Sequence, residues 1–143
     1  TPSASSAASD VYKRQHIYGC AAGLDMTRRD LQNKAKENRK PWDTAKDVDE
    51  SAVITPLRQM SEVPSVASGR IHLSQNGTVK QDADLSEMVW SVPEIIADLS
   101  TMYTLQQGDV IYMGTPAGVG AVSRGDVLTG GVEGIGDFEV KIA

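Results

Sequence analysis

The sequence predicts a single α+β domain. The chain has 143 residues, an ordinary length for one domain. Segments that read as strands outnumber those with the helical period, and the two kinds do not alternate as they would in a parallel sheet with crossover helices. No internal repeat is visible. Together these patterns favour an α+β fold in which the sheet is built mostly from segments far apart along the chain.

The first predicted elements are a strand and a short helix. Residues 16–24 are apolar with small side chains and lead into Asp25, which predicts a buried strand. Thr27 and Asp30 have the spacing of a capping box, in which a hydroxyl and a carboxylate bind the free amides at the start of a helix. We therefore expect a helix over about 28–37, and its narrow apolar stripe places it at the surface.

The middle of the chain predicts a long connection followed by a hairpin. Residues 38–70 contain three prolines and little periodicity, so we expect irregular structure with one strand near 52–58. Connections of this length tend to be functional. Asn76 and Gly77 then supply the positive φ angles that a two-residue hairpin turn requires.

The last third predicts one helix and three strands. Ser91 and Glu94 form a second capping-box pattern, and apolar residues recur at helical spacing up to Tyr103, which predicts a helix that faces the core. A strand is expected at 109–113, followed by the glycine-rich sequence GTPAGVG. Two closing strands are expected at about 126–129 and 137–142.

Composition argues against several classes of function. The net charge is −5 with a sequence pI near 4.9, and no basic stripe interleaves with aromatic residues, so we expect no nucleic-acid partner. No apolar run approaches the roughly 20 residues that cross a bilayer, so no membrane partner is expected. Cys20 is the single cysteine, and no set of Cys and His residues has zinc-site spacing. We expect a soluble protein in a reducing compartment, the cytoplasm.

Residues 1–15 are not expected to belong to the fold. They are rich in Ser and Ala, and they show no periodicity. The stretch SASSAASDVYKRQ resembles translated adapter read-through at the end of a gene fragment, and a genuine disordered tail is the alternative. It is not a secretory signal, because its basic residues follow a polar run instead of preceding an apolar one. The folded unit is expected to span 16–143.

The segment GLDMTRRDLQ, residues 23–32, collects side chains suited to a keto-acid. Asp25 ends the predicted strand, and Arg29 and Gln32 lie three positions apart on one face of the helix. A carboxylate beside a guanidinium and an amide fits a metal-assisted reaction on a keto-carboxylate. The structural alternative is that Asp25 caps the turn and Arg29 forms a solvated ion pair with Asp30.

Two other positions could serve the same chemistry. Lys46 lies in PWDTAKD, and its ammonium could stabilise an enolate or oxyanion; a solvated loop lysine is the alternative. Thr115 lies in MGTPAGVG, where glycines let backbone amides approach an anion; a tight structural turn is the alternative. This loop matches neither of the common phosphate-binding glycine motifs.

Several motifs together resemble the fumarylacetoacetate hydrolase family, and in particular its acylpyruvate or fumarylpyruvate hydrolase branch. The motifs are GLDMTRRDLQ, PWDTAK, the hairpin around NG, SEMVWSVPEIIADLS, GDVIYMGTPAGVG and GDVLTGGVEGIGDFEVKI. They occur in order over about residues 16–143. The resemblance implies a mixed β-sheet roll, usually a homodimer, that binds Mg²⁺ or Mn²⁺ and cleaves a carbon–carbon bond in a small 2,4-dioxo acid.

The resemblance also implies roles for individual residues. Asp25 is similar to the family's metal-ligand aspartate, and Arg29 and Gln32 are similar to its substrate-facing residues. Lys46 resembles the lysine that stabilises the enolate-like leaving group, and Thr115 resembles the threonine that holds the substrate. Oxaloacetate decarboxylation or dioxo-acid isomerisation are alternatives on the same fold. A non-catalytic, oligomerising domain that binds small acids is an alternative of another class.

The sequence departs from the family in what it lacks. Family members hold their metal with two further glutamates in an E-x-E segment upstream of the aspartate, and they activate water with a histidine–glutamate pair on an N-terminal lid. Neither occurs in this sequence. We therefore expect a chain that is truncated at its N-terminus and carries half of the site.

We predict that this chain is inactive alone and binds Mg²⁺ weakly. The reason is that a divalent ion takes several oxygen ligands, whereas the resemblance assigns this chain only Asp25. Isothermal titration with MgCl₂ should therefore show no micromolar binding. A micromolar dissociation constant for the 143-residue chain would refute the prediction.

Overall fold

The computed structural model describes residues 16–143, which form one four-stranded antiparallel sheet, two small two-stranded sheets and three α-helices. The α+β class predicted from the sequence is confirmed. All strand pairs in this part of the chain are antiparallel. The tail predicted for residues 1–15 lies outside the described residues.

The elements are numbered here in chain order. The strands are β1 (Gly19–Cys20), β2 (Gly23–Asp25), β3 (Ala52–Ile54), β4 (Arg58–Gln59), β5 (Arg70–Gln75), β6 (Thr78–Asp84), β7 (Val127–Val132) and β8 (Gly136–Lys141). The helices are α1 (Arg29–Glu37), α2 (Asp43–Lys46) and α3 (Val92–Met102). Short 3₁₀ turns occupy Met60–Glu62 and Leu85–Glu87.

The main sheet has the strand order β6-β5-β7-β8. Its β5–β6 hairpin confirms the predicted turn, since Asn76 and Gly77 have φ angles of 52° and 79°. Strand β7 continues through Gly130 and Gly131, which the sequence predicted as part of a connecting loop. A Cβ at Gly131 would overlap Asp137 on β8, so the absence of a side chain permits the close pairing.

The two small sheets bring the first third of the chain together. β2 pairs with β3, with Asp25 opposite Ala52, and β1 pairs with β4. The predicted strand at 16–24 is interrupted between β1 and β2, and the predicted strand at 52–58 ends at Ile54. Pro56 follows shortly after, and proline has no N–H to donate to a strand ladder.

Helix α1 forms almost where the sequence predicts it, but the predicted capping box at its start is wrong. The N-cap residue is Arg28, which makes no side-chain cap hydrogen bond. The Thr27 hydroxyl instead donates to the backbone oxygen of Asp25 at 3.3 Å and accepts from Lys46 Nζ at 2.9 Å. A contact with a distant lysine therefore replaces the local cap.

Helix α3 confirms one prediction and corrects another. Ser91 and Glu94 form the predicted capping box, in which Glu94 Oε2 accepts from the Ser91 backbone amide at 2.7 Å. These bonds hold the pKa of the Glu94 carboxyl below its ordinary value. The helix does not face the core as predicted, because only Pro93 on it is buried, and Met102 and Tyr103 are 62% and 64% exposed.

The strand predicted at 109–113 is wrong. This segment forms no strand ladder within the described residues. It is fixed instead by the Tyr112 hydroxyl, which donates to the backbone oxygen of Val53 on β3 at 3.0 Å. The glycine-rich loop that follows comes close to β6: a Cβ on Gly118, at φ +103°, would overlap the backbone oxygen of Lys80.

The hydrophobic core is small and lies between the main sheet and the N-terminal strands. Its buried cluster contains Ala22, Val132 and Ile135, and partly buried residues including Cys20 and Phe138 pack against it. Burial raises the pKa of the Cys20 thiol. Leu128 on β7 is 2% exposed and is the largest fully buried side chain of residues 16–143. None of the helices in these residues is long and apolar enough to cross a membrane.

We expect Leu128→Ala to lower the free energy of unfolding by about 2 to 5 kcal/mol, because it removes buried contacts and leaves a cavity. Urea denaturation followed by circular dichroism measures the change. Val79→Ala is the matched control, since Val79 lies on β6 and is 55% exposed. Equal losses in the two variants would contradict the burial that the structure gives Leu128.

We expect Gly118→Ala to destabilise the chain and displace the glycine-rich loop from β6. The new Cβ would overlap a backbone oxygen, which cannot move as a flexible side chain could, and the positive φ adds strain. Gly120→Ala is the control in the same loop, because no atom lies within 4 Å of its Cβ position. Thermal unfolding compares the two, and an equally stable Gly118→Ala would contradict the close approach.

Candidate functional site

The centre of the candidate site is an ion pair between Asp25 and Lys46. Lys46 Nζ lies 2.6 Å from Asp25 Oδ2 and donates a second bond to Thr27 Oγ1 at 2.9 Å. The side chains of Lys46 and Asp25 are 33% and 47% exposed, so both groups remain open to solvent. An ammonium has three N–H donors, and two are used here, which leaves one for a ligand.

Local backbone contacts bring these two residues together. Asp25 is the last residue of β2, as predicted, whereas Lys46 lies at the end of helix α2 and not in an irregular loop. The amide of Arg28 donates to the backbone oxygen of Ala45 at 3.0 Å, and Ala45 is fully buried. This bond joins the start of α1 to the end of α2 and places Lys46 beside the end of β2.

Arg29 and Gln32 lie on one face of α1, as predicted, and contact each other. Arg29 Nη1 donates to Gln32 Oε1 at 2.7 Å. Gln32 is 3% exposed, whereas Arg29 is exposed. Gln32 therefore fixes the position of Nη1 of the Arg29 guanidinium, and the remaining N–H donors of Arg29 stay available for a ligand.

Thr115 is held by a glutamine that the sequence did not single out. Gln81 on β6 is 8% exposed, and its Nε2 donates to Thr115 Oγ1 at 2.9 Å and to the backbone oxygen of Pro116 at 2.7 Å. The sequence offered no signal for this contact, because Gln81 is an ordinary polar residue in a hairpin strand. Thr27 was missed as a site residue for a different reason, since its spacing to Asp30 favoured a helix cap.

A cavity of about 460 Å³ joins these groups. Four of the five predicted site residues line it: Asp25, Arg29, Lys46 and Thr115. Gln32, the fifth, is not among the lining residues and reaches the cavity only through Arg29. The volume is in the range of sites for small organic ligands. The lining carries four cationic side chains against two carboxylates, which favours an anionic ligand; the cations are Arg28, Arg29, Lys46 and Lys80, and the carboxylates are Asp25 and Asp30.

The phenol of Tyr112 is affected by the charge of Asp25. Burial raises the pKa of its phenol, and the negative charge of Asp25 raises it further. The phenol therefore stays protonated at neutral pH, consistent with its donation to Val53. Its contact holds the segment before the glycine-rich loop against β3.

The described residues do not form a complete metal site. Residues 16–143 contain no group of three His, Cys, Asp or Glu side chains that could hold a metal ion. The accessible Asp25 carboxylate fits as one oxygen ligand of a divalent cation, for which Lys46 would have to give up part of its contact. Such a cation takes several oxygen ligands, so the rest of the donor set is not supplied by these residues.

Comparison with known proteins identifies relatives of this chain. Residues 3–143 match the family described as fumarylacetoacetate (FAA) hydrolase C-terminal. A fumarylpyruvate hydrolase from Ralstonia sp is 52% identical over 126 residues, which is 88% of this chain and 65% of that protein. The mitochondrial oxaloacetate tautomerase FAHD1 of Rattus norvegicus is 35% identical over 127 residues, which is 89% of this chain and 58% of that protein.

A solved structure agrees with the sequence relatives. The crystal structure of fumarylpyruvate hydrolase from Pseudomonas aeruginosa in complex with Mn²⁺ and pyruvate matches with a TM-score of 0.90 and 40% sequence identity. The match covers 94% of this chain and 57% of that one. The chain thus spans about 60% of the length of these relatives. The match of nearly the whole chain to the family and the shared fold lead to one conclusion: this chain belongs to the fumarylacetoacetate hydrolase family.

Proposed function

We propose that the protein hydrolyses a carbon–carbon bond of an acylpyruvate such as fumarylpyruvate. The observation that carries this proposal is the meeting of Asp25, Lys46 and Thr115 at one cavity, although they lie far apart along the chain. The Ralstonia relative is a fumarylpyruvate hydrolase, and the Pseudomonas relative was crystallised with pyruvate, which is one product of such a cleavage.

We propose a divalent metal ion, Mg²⁺ or Mn²⁺, as the cofactor, with Asp25 as one of its ligands. The Mn²⁺ in the Pseudomonas relative supports this class of ion. When bound, the ion supplies a positive charge that polarises the keto-acid oxygens. The remaining ligands would come from outside the group of residues described here.

The chain's own residues would bind and orient the substrate. Arg29, braced by Gln32, supplies a charged donor for the carboxylate, and Thr115 supplies a neutral donor from the opposite loop. Lys46 is held by Asp25 and Thr27, so its third N–H can reach an oxygen that becomes negative during the reaction. The positions of these groups are set before the ligand arrives, which lowers the cost of ordering them.

The bond changes in this reaction balance with one water molecule. The oxygen of water forms a bond to the distal carbonyl carbon, and the bond from that carbon to the methylene carbon breaks. The electron pair of the broken bond moves onto the pyruvate half as an enolate, which Lys46 stabilises by charge. The methylene carbon then takes up a proton, giving pyruvate and the acid derived from the acyl group.

Chemistry on oxaloacetate is the second candidate function. It is favoured by the similarity to the rat oxaloacetate tautomerase, and it needs the same stabilisation of an enolate by Lys46. Decarboxylation or isomerisation of a dioxo acid would use these groups in the same way. A protein in which this chain replaces the matching segment of the Ralstonia enzyme can be assayed with fumarylpyruvate and oxaloacetate, and the larger kcat/KM decides between them.

We also propose that the protein is a cytoplasmic homodimer, as the family resemblance implies. Large apolar side chains remain exposed on and beside α3, where Val89 is 93% exposed and Met102 is 62% exposed. Exposed apolar side chains grouped in this way are typical of surfaces that another chain covers.

We expect Lys46→Met in the Ralstonia replacement protein to lower kcat for fumarylpyruvate by about 100-fold or more, with a smaller change in KM. The lost ammonium acts on charge that develops during the reaction, so the effect falls on the chemical step. Steady-state kinetics measure both constants. Lys40→Met removes the same charge from an exposed position outside the cavity and is the control. Unchanged kcat in Lys46→Met would support a non-catalytic domain that binds small acids.

A further inference from the structure

Gln81 is a buried polar residue at the edge of the cavity. It lines the cavity and is 8% exposed, whereas the charged residues Asp25 and Arg29 are exposed. A buried amide is costly unless its N–H groups find acceptors. The hydrogen bonds that Gln81 makes therefore offset the cost of burying its amide.

Both N–H groups of the Gln81 side chain point to the glycine-rich loop. One donates to Thr115 Oγ1 at 2.9 Å and the other to the backbone oxygen of Pro116 at 2.7 Å. The Pro116 oxygen can only accept a hydrogen bond, so the nitrogen of the amide, and not its oxygen, must face the loop. The orientation of the amide is thereby settled by its partners.

This orientation determines what the Thr115 hydroxyl can do. A hydroxyl has one proton and two lone pairs, and one lone pair of Thr115 already accepts from Gln81. Within residues 16–143 the hydroxyl makes no second hydrogen bond, and Thr115 is exposed on the cavity wall. Its proton is therefore left to donate to an acceptor in the cavity.

Within the described residues no strand ladder fixes the loop that carries Thr115. The loop meets β6 through the two Gln81 bonds and the close approach of Gly118 to Lys80, and Gln75 on β5 donates to the backbone oxygen of Ala121 where the loop ends, at 3.3 Å. Gly118 determines how closely the loop approaches β6, but it has no side chain that could orient the Thr115 hydroxyl. Gln81 sets the direction of the Thr115 hydroxyl.

We propose that Gln81 is a positioning residue for substrate binding, which holds Thr115 as a hydrogen-bond donor to the carboxylate of a 2-oxo acid. This inference rests on the proposed function, because that function supplies the carboxylate. The competing account is that Gln81 only fastens the loop and has no effect on how Thr115 meets a ligand.

The first experiment tests the geometry without any ligand. In the ¹⁵N-labelled chain, the side-chain amide protons of Gln81, assigned by their loss in Gln81→Met, should exchange with water more slowly than those of exposed Gln107. Thr115→Val should shift the Gln81 amide resonance, because it removes one acceptor. Exchange as fast as at Gln107, or a resonance unchanged by Thr115→Val, would overturn the proposal.

The second experiment measures, by titration in excess MgCl₂, the pyruvate affinity of the protein in which this chain replaces the matching segment of the Ralstonia enzyme. We expect Gln81→Met and Thr115→Val each to weaken binding by about tenfold, which is the loss of one hydrogen bond to a charged group. The double variant should be no weaker than Thr115→Val alone, since both changes remove the same interaction. Additive losses, or full affinity in Gln81→Met, would overturn the proposal.

Gln81→Glu tests whether residue 81 must donate a hydrogen bond to the loop. Its carboxylate cannot donate, so Thr115 would turn its proton towards residue 81 and away from the cavity. Protonation at low pH restores a donor at this position, so pyruvate affinity relative to the unsubstituted replacement protein should rise as the pH falls from 8 to about 4. A flat ratio across this range would contradict the proposal.

Two controls make the result specific. Gln107→Glu adds the same charge at an exposed position outside the cavity and should leave affinity unchanged. Thr115→Ser keeps the hydroxyl and should retain most of the affinity. If pyruvate fails to bind the unsubstituted replacement protein, the proposed function loses its support, and the amide exchange of Gln81 alone decides whether Thr115 is held as described.

Discussion

The contact between Asp25 and Lys46 is the constraint on which the candidate site depends. It joins the end of β2 to the end of α2 across 21 positions of sequence. Both side chains are about a third to a half exposed, and ion pairs of such exposure contribute only about 0 to 1 kcal/mol. The pair is therefore not what holds the fold together. The backbone bond from Arg28 to Ala45 joins the start of α1 to the end of α2 without using either charged side chain, so both charged groups can meet a ligand.

The opposite wall of the cavity is built in another way. Within the described residues the loop around Thr115 has no ladder of backbone hydrogen bonds, and it contacts β6 through the amide of Gln81 and the close approach of Gly118 to Lys80. Side-chain bonds of this kind fix the direction of a single hydroxyl, whereas a strand would fix the backbone and leave the hydroxyl to rotate. One wall thus depends on backbone pairing, whereas the direction of the hydroxyl on the other wall depends on one buried amide. Both are needed to surround a small anion.

The errors of the sequence predictions have identifiable physical causes. Thr27 has the spacing of a helix cap, but a lysine from α2 offers its hydroxyl a charged donor, and that contact replaces the cap. The segment 109–113 has the composition of a strand, but it finds no partner strand in the described chain. Helix α3 has a genuine apolar stripe, but most of it is only half-buried, and its end at Met102 and Tyr103 is exposed. In the first case a distant side chain replaced the local contact, and in the other two the described residues supply no full partner for the local pattern.

The sequence by itself determined what depends on near neighbours in the chain. The Asn76–Gly77 turn, the capping box of Ser91 and Glu94, and the shared face of Arg29 and Gln32 all follow from spacings of a few residues. Motif order was also sufficient to identify the family. Only the tertiary structure decided that Lys46 meets Asp25 and that Gln81 holds Thr115. Those contacts join residues 21 and 34 positions apart, and no local preference encodes which distant side chain will arrive.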